Sequence, residues 1–251
     1  MGSNHIEFTI WTSLDLTQKP PKVFASKGKK QVGAVTSAER GKHFTVIACA
    51  NAIGNYVPPA LIISRKNYKA EYFDGIPPGS LDLCHPSGYM TGDLFFKWMR
   101  HFVAFVNASL ANKVLLILDG HSSHKNLDAL EFAKANGVVM LCFPPHCTHR
   151  MQPTDLSFFG PLQAYYDREM STWIKNQTGR TIGLYQVAQL FGRAYEIAAS
   201  VRNITSGFEK SGIYPFNPHI FPEELYLPSA VTENELTNED EPVASSSSLY
   251  A

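Results

Sequence analysis

The chain predicts an α/β fold, a mixed sheet flanked by helices, and three stretches carry that expectation. Val114–Leu118 is an apolar run ending in Asp119-Gly120, residues 127–136 read as a helix closed by Gly137, and residues 138–143 are a second apolar run. Short apolar runs joined by a helix mark parallel strands buried on both faces. Residues 43–52 and 56–64, with Ile53-Gly54-Asn55 as the turn, read as an antiparallel pair. Residues 5–16 are rich in β-branched and aromatic side chains and suit an opening strand that this pair extends. The expectation is three antiparallel strands followed by two parallel ones.

The remaining elements follow in chain order. Residues 20–42 are rich in Lys, Gly and Pro, and Lys27, Lys29, Lys30, Arg40 and Lys42 make them basic. A hairpin of this kind can grip phosphates without reading sequence, or it can be an ordinary solvated loop. Pro58-Pro59 argues that the second strand of the antiparallel pair lies at a sheet edge. Residues 65–87 read as loop, with Pro77-Pro78-Gly79 and Pro86-Ser87-Gly88 as breakers. Residues 91–106 have apolar side chains at helical spacing, with Thr91 placed to cap them and Trp98 on the core side. Residues 159–173 form a long amphipathic helix, residues 181–201 supply one or two more, and residues 202–221 read as loop-rich.

Composition bounds the rest. Of 251 residues, 44% are hydrophobic and 18% charged, enough for one substantial core or two small ones. No apolar run is long enough to span a bilayer, and no charged segment followed by an apolar one opens the chain. Cys49, Cys84, Cys142 and Cys147 form no CxxC pair and read as reduced, mostly buried intracellular thiols. Net charge is zero, but residues 229–251 hold five acids and no base, leaving +5 over residues 1–228. Residues 223–251, acidic and serine-rich, read as a disordered tail on a mildly basic body, residues 1–222, that is compatible with phosphate binding.

The chemistry gathers in residues 115–159. Asp119 ends the first parallel strand, and Asp155 opens the helical stretch after the second. The crossover brings both to one end of the sheet, where ligands of open α/β sheets bind. Two acids there can share a hard divalent ion, Mg²⁺ or Mn²⁺. An acid in either place can also simply cap a helix. His121, His124, His146 and His149 flank the acids. Together they can form a zinc site with Cys147, His121, His146 or His149 can contact phosphate or brace the acids, and all four can simply satisfy loop hydrogen bonds.

Three segments, Leu115-Leu-Ile-Leu-Asp-Gly-His-Ser-Ser-His124, Pro144-Pro-His-Cys-Thr-His149 and Gln152-Pro-Thr-Asp-Leu-Ser-Phe-Phe159, resemble the core of the DDE transposases of the pogo/Tigger/jerky group. Gln18-Lys-Pro-Pro-Lys-Val23, Gly28-Lys-Lys-Gln-Val-Gly33, Thr36-Ser-Ala-Glu-Arg40, His85-Pro-Ser-Gly88 and Gly212-Ile-Tyr-Pro-Phe-Asn-Pro218 extend the resemblance over residues 8–222. It implies an RNase H-like nuclease fold, a nuclear DNA-binding protein, and three acids holding two metal ions for strand cleavage and transfer. Asp119 and Asp155 match two of the acids, and His121 and His149 become candidate phosphate contacts beside the basic hairpin.

The first acid of that pattern, in a segment like Asn-x-Asp-Glu-Thr-Gly, is missing. Counting back from Gln18-Lys19-Pro20 places it at Ile10, its neighbouring Glu at Trp11 and the Asn at Phe8. The nearest acids, Glu7 and Asp15, stand at odd offsets and so on the other face of a strand. A copy that lost the acid, or a start foreign to the family over residues 1–11, gives the same picture. The expected function is a DDE-type endonuclease domain, impaired in cleavage, that binds DNA without sequence readout because no helix-turn-helix module precedes it. The alternative is a protein-interaction scaffold without nuclease activity, for instance one that dimerises through its C-terminal helices.

Overall fold

The computed structural model describes residues 44–144, 147–177 and 180–222 in full and residues 7–15 by their backbone. The hairpin with Lys27, Lys29, Lys30, Arg40 and Lys42, together with His146 and the tail 223–251, lies outside the described residues.

Six strands form one sheet in the order β4-β3-β2-β1-β5-β6. They are β1 (Glu7–Asp15), β2 (Phe44–Asn51), β3 (Tyr56–Ser64), β4 (Leu81–His85), β5 (Val114–Leu118) and β6 (Val138–Cys142). β1, β2 and β3 pair antiparallel, and β5 and β6 pair parallel on the other side of β1. This is the RNase H-like mixed sheet that the sequence predicts. The β2–β3 turn is closed by Asn51, whose side chain accepts the Asn55 N–H at 2.8 Å, with Gly54 at a φ of 104°.

Three expectations about these elements need correction. Residues 65–87 are not all loop: β4 adds a sixth strand, parallel to β3. β3 is therefore internal despite Pro58-Pro59. The ladder with β2 is irregular between Ile47 and Cys49, and β4 pairs only from Ala60 onward, so neither proline is asked for a ladder N–H. The Pro58 carbonyl instead accepts from His101 Nε2 at 3.0 Å. Residues 202–221 are likewise not all loop, because α7 (Val201–Lys210) occupies the first half. Its composition is polar, but Ile204, Gly207 and Phe208 fall on one buried stripe, enough for a surface helix.

Helices cover both faces. α1 (Gly92–Val106) and α2 (Leu127–Ala135) lie on one. Thr91 caps α1 by accepting the Leu94 N–H, and Trp98 is fully buried between Phe95 and Phe102, on the core side as its spacing predicts. These aromatics pack on Ile47, Ile62, Leu116 and Leu118. Gly137, at a φ of 71°, closes α2, and a Cβ there would lie 2.1 Å from the Ser109 carbonyl oxygen.

On the opposite face, α5 (Phe159–Asn176) and α6 (Leu184–Ala198) pack Leu162, Phe191 and Ala194 on Val46, Ala48, Leu61 and Ile63. A smaller cluster joins Ala50, Ile117 and Phe143 to Ile204 and Phe208 of α7. Of the thiols expected to be mostly buried, Cys49 is buried, Cys84 and Cys147 are partly so, and Cys142 is exposed.

The pairing directions fix one functional fact. The carboxyl ends of β1, β3, β4, β5 and β6 all meet one rim of the sheet.

Candidate metal and nucleic-acid site

Asp119 stands on that rim, one residue past β5. Its Oδ1 accepts the His121 N–H at 3.0 Å, and its side chain is 27% exposed. His124, five residues on in the turn Ser122–Lys125, folds back beneath it. Its Nδ1 donates to the Asp119 carbonyl oxygen at 2.8 Å and lies 3.3 Å from Oδ1. The His124 ring is buried, 4.5 Å centroid to centroid from Phe95. Burial lowers its pKa and Asp119 pulls it back up, so His124 acts near neutral pH as a neutral donor that fixes Asp119.

Asp155 sits in the first turn of α4 (Pro153–Ser157), behind α3 (Thr148–Met151). Pro153 at the first helical position starts that turn. α7 clamps α4 from behind. The Ser157 hydroxyl meets the carbonyl oxygens of Pro153 at 3.1 Å and Asn203 at 2.5 Å, and a Cβ on Gly207 would stand 2.3 Å from the Pro153 oxygen.

The two acids feel each other. Withheld solvent first, and the Asp119 charge second, push the Asp155 carboxyl up to about 6. By surface area Asp155 is exposed, so water screens part of this, and the direction matters more than the size. In the unfolded chain the carboxyl titrates near about 3.9. The folded protein therefore holds the extra proton across the window from there to about 6. Asp155 favours folding below that window, and its contribution is lost as pH rises through it. In EDTA, the urea midpoint of Asp155→Asn is expected to exceed that of the unaltered chain at pH 7.5, with the gap closing by pH 4. A gap that is the same at both pH values would show that Asp155 is not shifted.

The other predicted residues divide. His121 Nδ1 accepts the Ser123 N–H at 3.2 Å and meets the Ser123 hydroxyl at 2.8 Å, so it is tied to its own turn. His149 is exposed, and its Nε2 accepts from Arg150 Nε. Among the described residues no group of three or more His, Cys, Asp and Glu is placed to hold a metal ion, so the zinc alternative finds no ligand set there. In β1, Ile10 pairs with Ala50 on one side and Ile117 on the other, two members of the cluster under α7. Glu7 pairs with Val114 and Asp15 with Thr45, positions of the opposite parity.

Residues 41–208 match the family model of the DDE superfamily endonuclease. The chain belongs to that family. It is 25% identical over 155 residues to the human pogo transposable element with KRAB domain, covering 59% of this chain and 24% of that protein. It is also 29% identical over 203 residues to the MFS-type transporter clz9 of Cochliobolus lunatus, covering 78% of this chain and 22% of that one. The chain thus spans about a quarter of the length of these relatives. Among the described residues no helix is long and apolar enough to cross a membrane. Similar solved structures are the Mos1 strand transfer complex, with a TM-score of 0.49, 10% identity and 83% of this chain against 51% of that one. The catalytic domain of Mos1 mariner transposase follows at a TM-score of 0.37 and 10% identity, over 83% and 81% of the two chains.

Sequence reasoning missed the specific role of His124, although its spacing from Asp119 across Gly120 is a readable signal. The clamp of Gly207, Ser157 and Asn203 carried none, since it joins segments some 50 residues apart by tertiary packing.

Proposed function

We propose that this DDE domain binds nucleic acid through its phosphates and carries in Asp119 and Asp155 the remainder of a metal site, with strand cleavage impaired. The observation that supports this most directly is that the Asp119 charge on the sheet rim reaches the Asp155 carboxyl and, after burial, raises the cost of ionising it. Such a pair accepts a hard cation. Mg²⁺ binds through one or two carboxylates, waters and substrate phosphate, so the donor set fits a single Mg²⁺ or Mn²⁺ held by Asp119 and Asp155. When bound, the ion supplies Lewis-acid polarisation of a phosphoryl oxygen. A two-ion arrangement asks for a third carboxylate, and the family's position for it falls on Ile10.

The chain's own groups do the rest. His124 holds Asp119 by its carbonyl oxygen and carboxylate, and α7 holds α4 under Asp155. His121, His149 and the basic hairpin residues Lys27, Lys29, Lys30, Arg40 and Lys42 are assigned to phosphates, as contacts that position without reading bases. A nuclear location follows from a DNA partner.

Plasmid nicking by purified protein in Mn²⁺ is expected to stay at the level of Asp119→Ala, while a DNA mobility shift at low salt is retained and falls steeply as salt is added. Robust nicking that depends on Asp119 would refute the impairment. An absence of any shift at low salt would favour the protein-interaction scaffold.

A further inference from the structure

The rim that carries Asp119 extends well beyond it. β3 ends there in Ser64, and the next residues, Arg65-Lys66-Asn67-Tyr68-Lys69, add three positive charges where the sequence reads plain loop. This loop is anchored. Arg65 N–H donates to the carbonyl oxygens of Ile63 and His85, and the Ser64 hydroxyl donates to the Pro86 carbonyl. Tyr68 stacks on Phe73 at 5.6 Å, and its hydroxyl donates to Asp82. Lys66 and Lys69 are exposed on this fixed base.

At the other end, beside Asp119, stands Lys125. It is exposed, and its charge reaches the Cys142 thiol at the end of β6, as does that of Asp119. Lys125 itself lines a cleft of about 430 Å³, together with Thr91, Gly92, Ser122 and Asn126. The acids nearby are Asp82, engaged by Tyr68, Glu71 and Asp74 in the turn that leaves the rim, Asp93 in the first turn of α1 and Asp128 in the first turn of α2.

We propose that a nucleic-acid backbone runs along this rim from Lys66 and Lys69 to Lys125 and its cleft beside Asp119. The track rests on the nucleic-acid reading above and gives it a direction across the sheet. From β4 to β5 is four strand steps, roughly 19 Å at about 4.8 Å each. A duplex presents a phosphate charge about every 1.7 Å of its axis, two per base pair, so this rim spans about five to six base pairs. The groups along it are lysines and hydroxyl side chains, which position a backbone and carry no base code.

Fluorescence anisotropy of a labelled 30-base-pair duplex of arbitrary sequence, titrated with the full chain from low to moderate KCl, tests this. Each phosphate contact contributes about 0.9 to the slope of log K against log salt. The variant Lys66→Gln/Lys69→Gln/Lys125→Gln is expected to lower that slope by about 2 to 3 and to weaken low-salt binding at least tenfold. The control Lys113→Gln/Lys134→Gln alters exposed lysines at the start of β5 and the end of α2, at the opposite rim, and is expected to leave the slope unchanged. Unaltered chain that binds, with a triple variant of undiminished slope, overturns the track alone. So does a control that loses as much as the triple variant. Unaltered chain that fails to bind even at low salt overturns the nucleic-acid reading, and the track with it.

Discussion

Ile10→Asp is expected to raise Mn²⁺-dependent plasmid nicking by on the order of a hundredfold over the unaltered chain. The register places this position between Ala50 and Ile117, and Ile117 stands two residues before Asp119 on the neighbouring parallel strand. Positions two apart on a strand share a face, so an acid there joins the side of the sheet to which α4 brings Asp155. A third carboxylate balances the charge of a second cation, which the existing pair cannot do. The gain must vanish when Asp119→Ala is added, because the new acid acts only in concert with the others. Circular dichroism and Mn²⁺ binding of the variant guard against misfolding. A folded, Mn²⁺-binding Ile10→Asp protein without added nicking, or a gain that survives Asp119→Ala, would show that this strand does not carry the missing ligand.

Gly207→Ala tests the clamp behind Asp155. The new Cβ would stand 2.3 Å from the Pro153 carbonyl oxygen and 2.4 Å from the Ser157 hydroxyl. The first of these is backbone in a helix turn and cannot swing aside, so α4 and α7 must separate. Overpacking of this kind costs about 1–3 kcal/mol, seen as a lower urea midpoint. Separation also moves the turn that carries Asp155, so Mn²⁺ affinity is expected to fall as well. Gly160→Ala in α5 is the control, since its Cβ meets nothing within 4 Å, and alanine there is expected to hold or raise stability. If Gly207→Ala loses stability yet binds Mn²⁺ as the unaltered chain does, α7 supports the fold without setting the acid.

Much of this architecture is legible in the residues because the local signals agree with the packing. Thr91, Asn126 and Gly137 punctuate helices, and the run Val114–Leu118 is a strand at the bounds its apolar residues suggest. The readings that failed did so where tertiary context overrides local pattern. Pro58-Pro59 reads as an edge, yet an irregular ladder lets the sheet continue past it. β4 is five residues between glycine and proline breakers, too short for its alternation to stand out. α7 hides its three buried residues among polar ones. At the site, the acids were visible through spacing and resemblance. The brace from His124 and the basic loop at Arg65–Lys69 needed the pairing directions of the strands, which no single segment encodes.

The pairing of the first strand also bears on how such a molecule ages. A carboxylate at position 10, with Ala50 and Ile117 as its neighbours on the flanking strands, would be a standing cost to the native state, tolerable only while a cation neutralises it. Trading it for a branched hydrocarbon removes that cost and adds apolar contact. Along such a route, loss of the reaction would be downhill for the scaffold, and the architecture would outlast the chemistry.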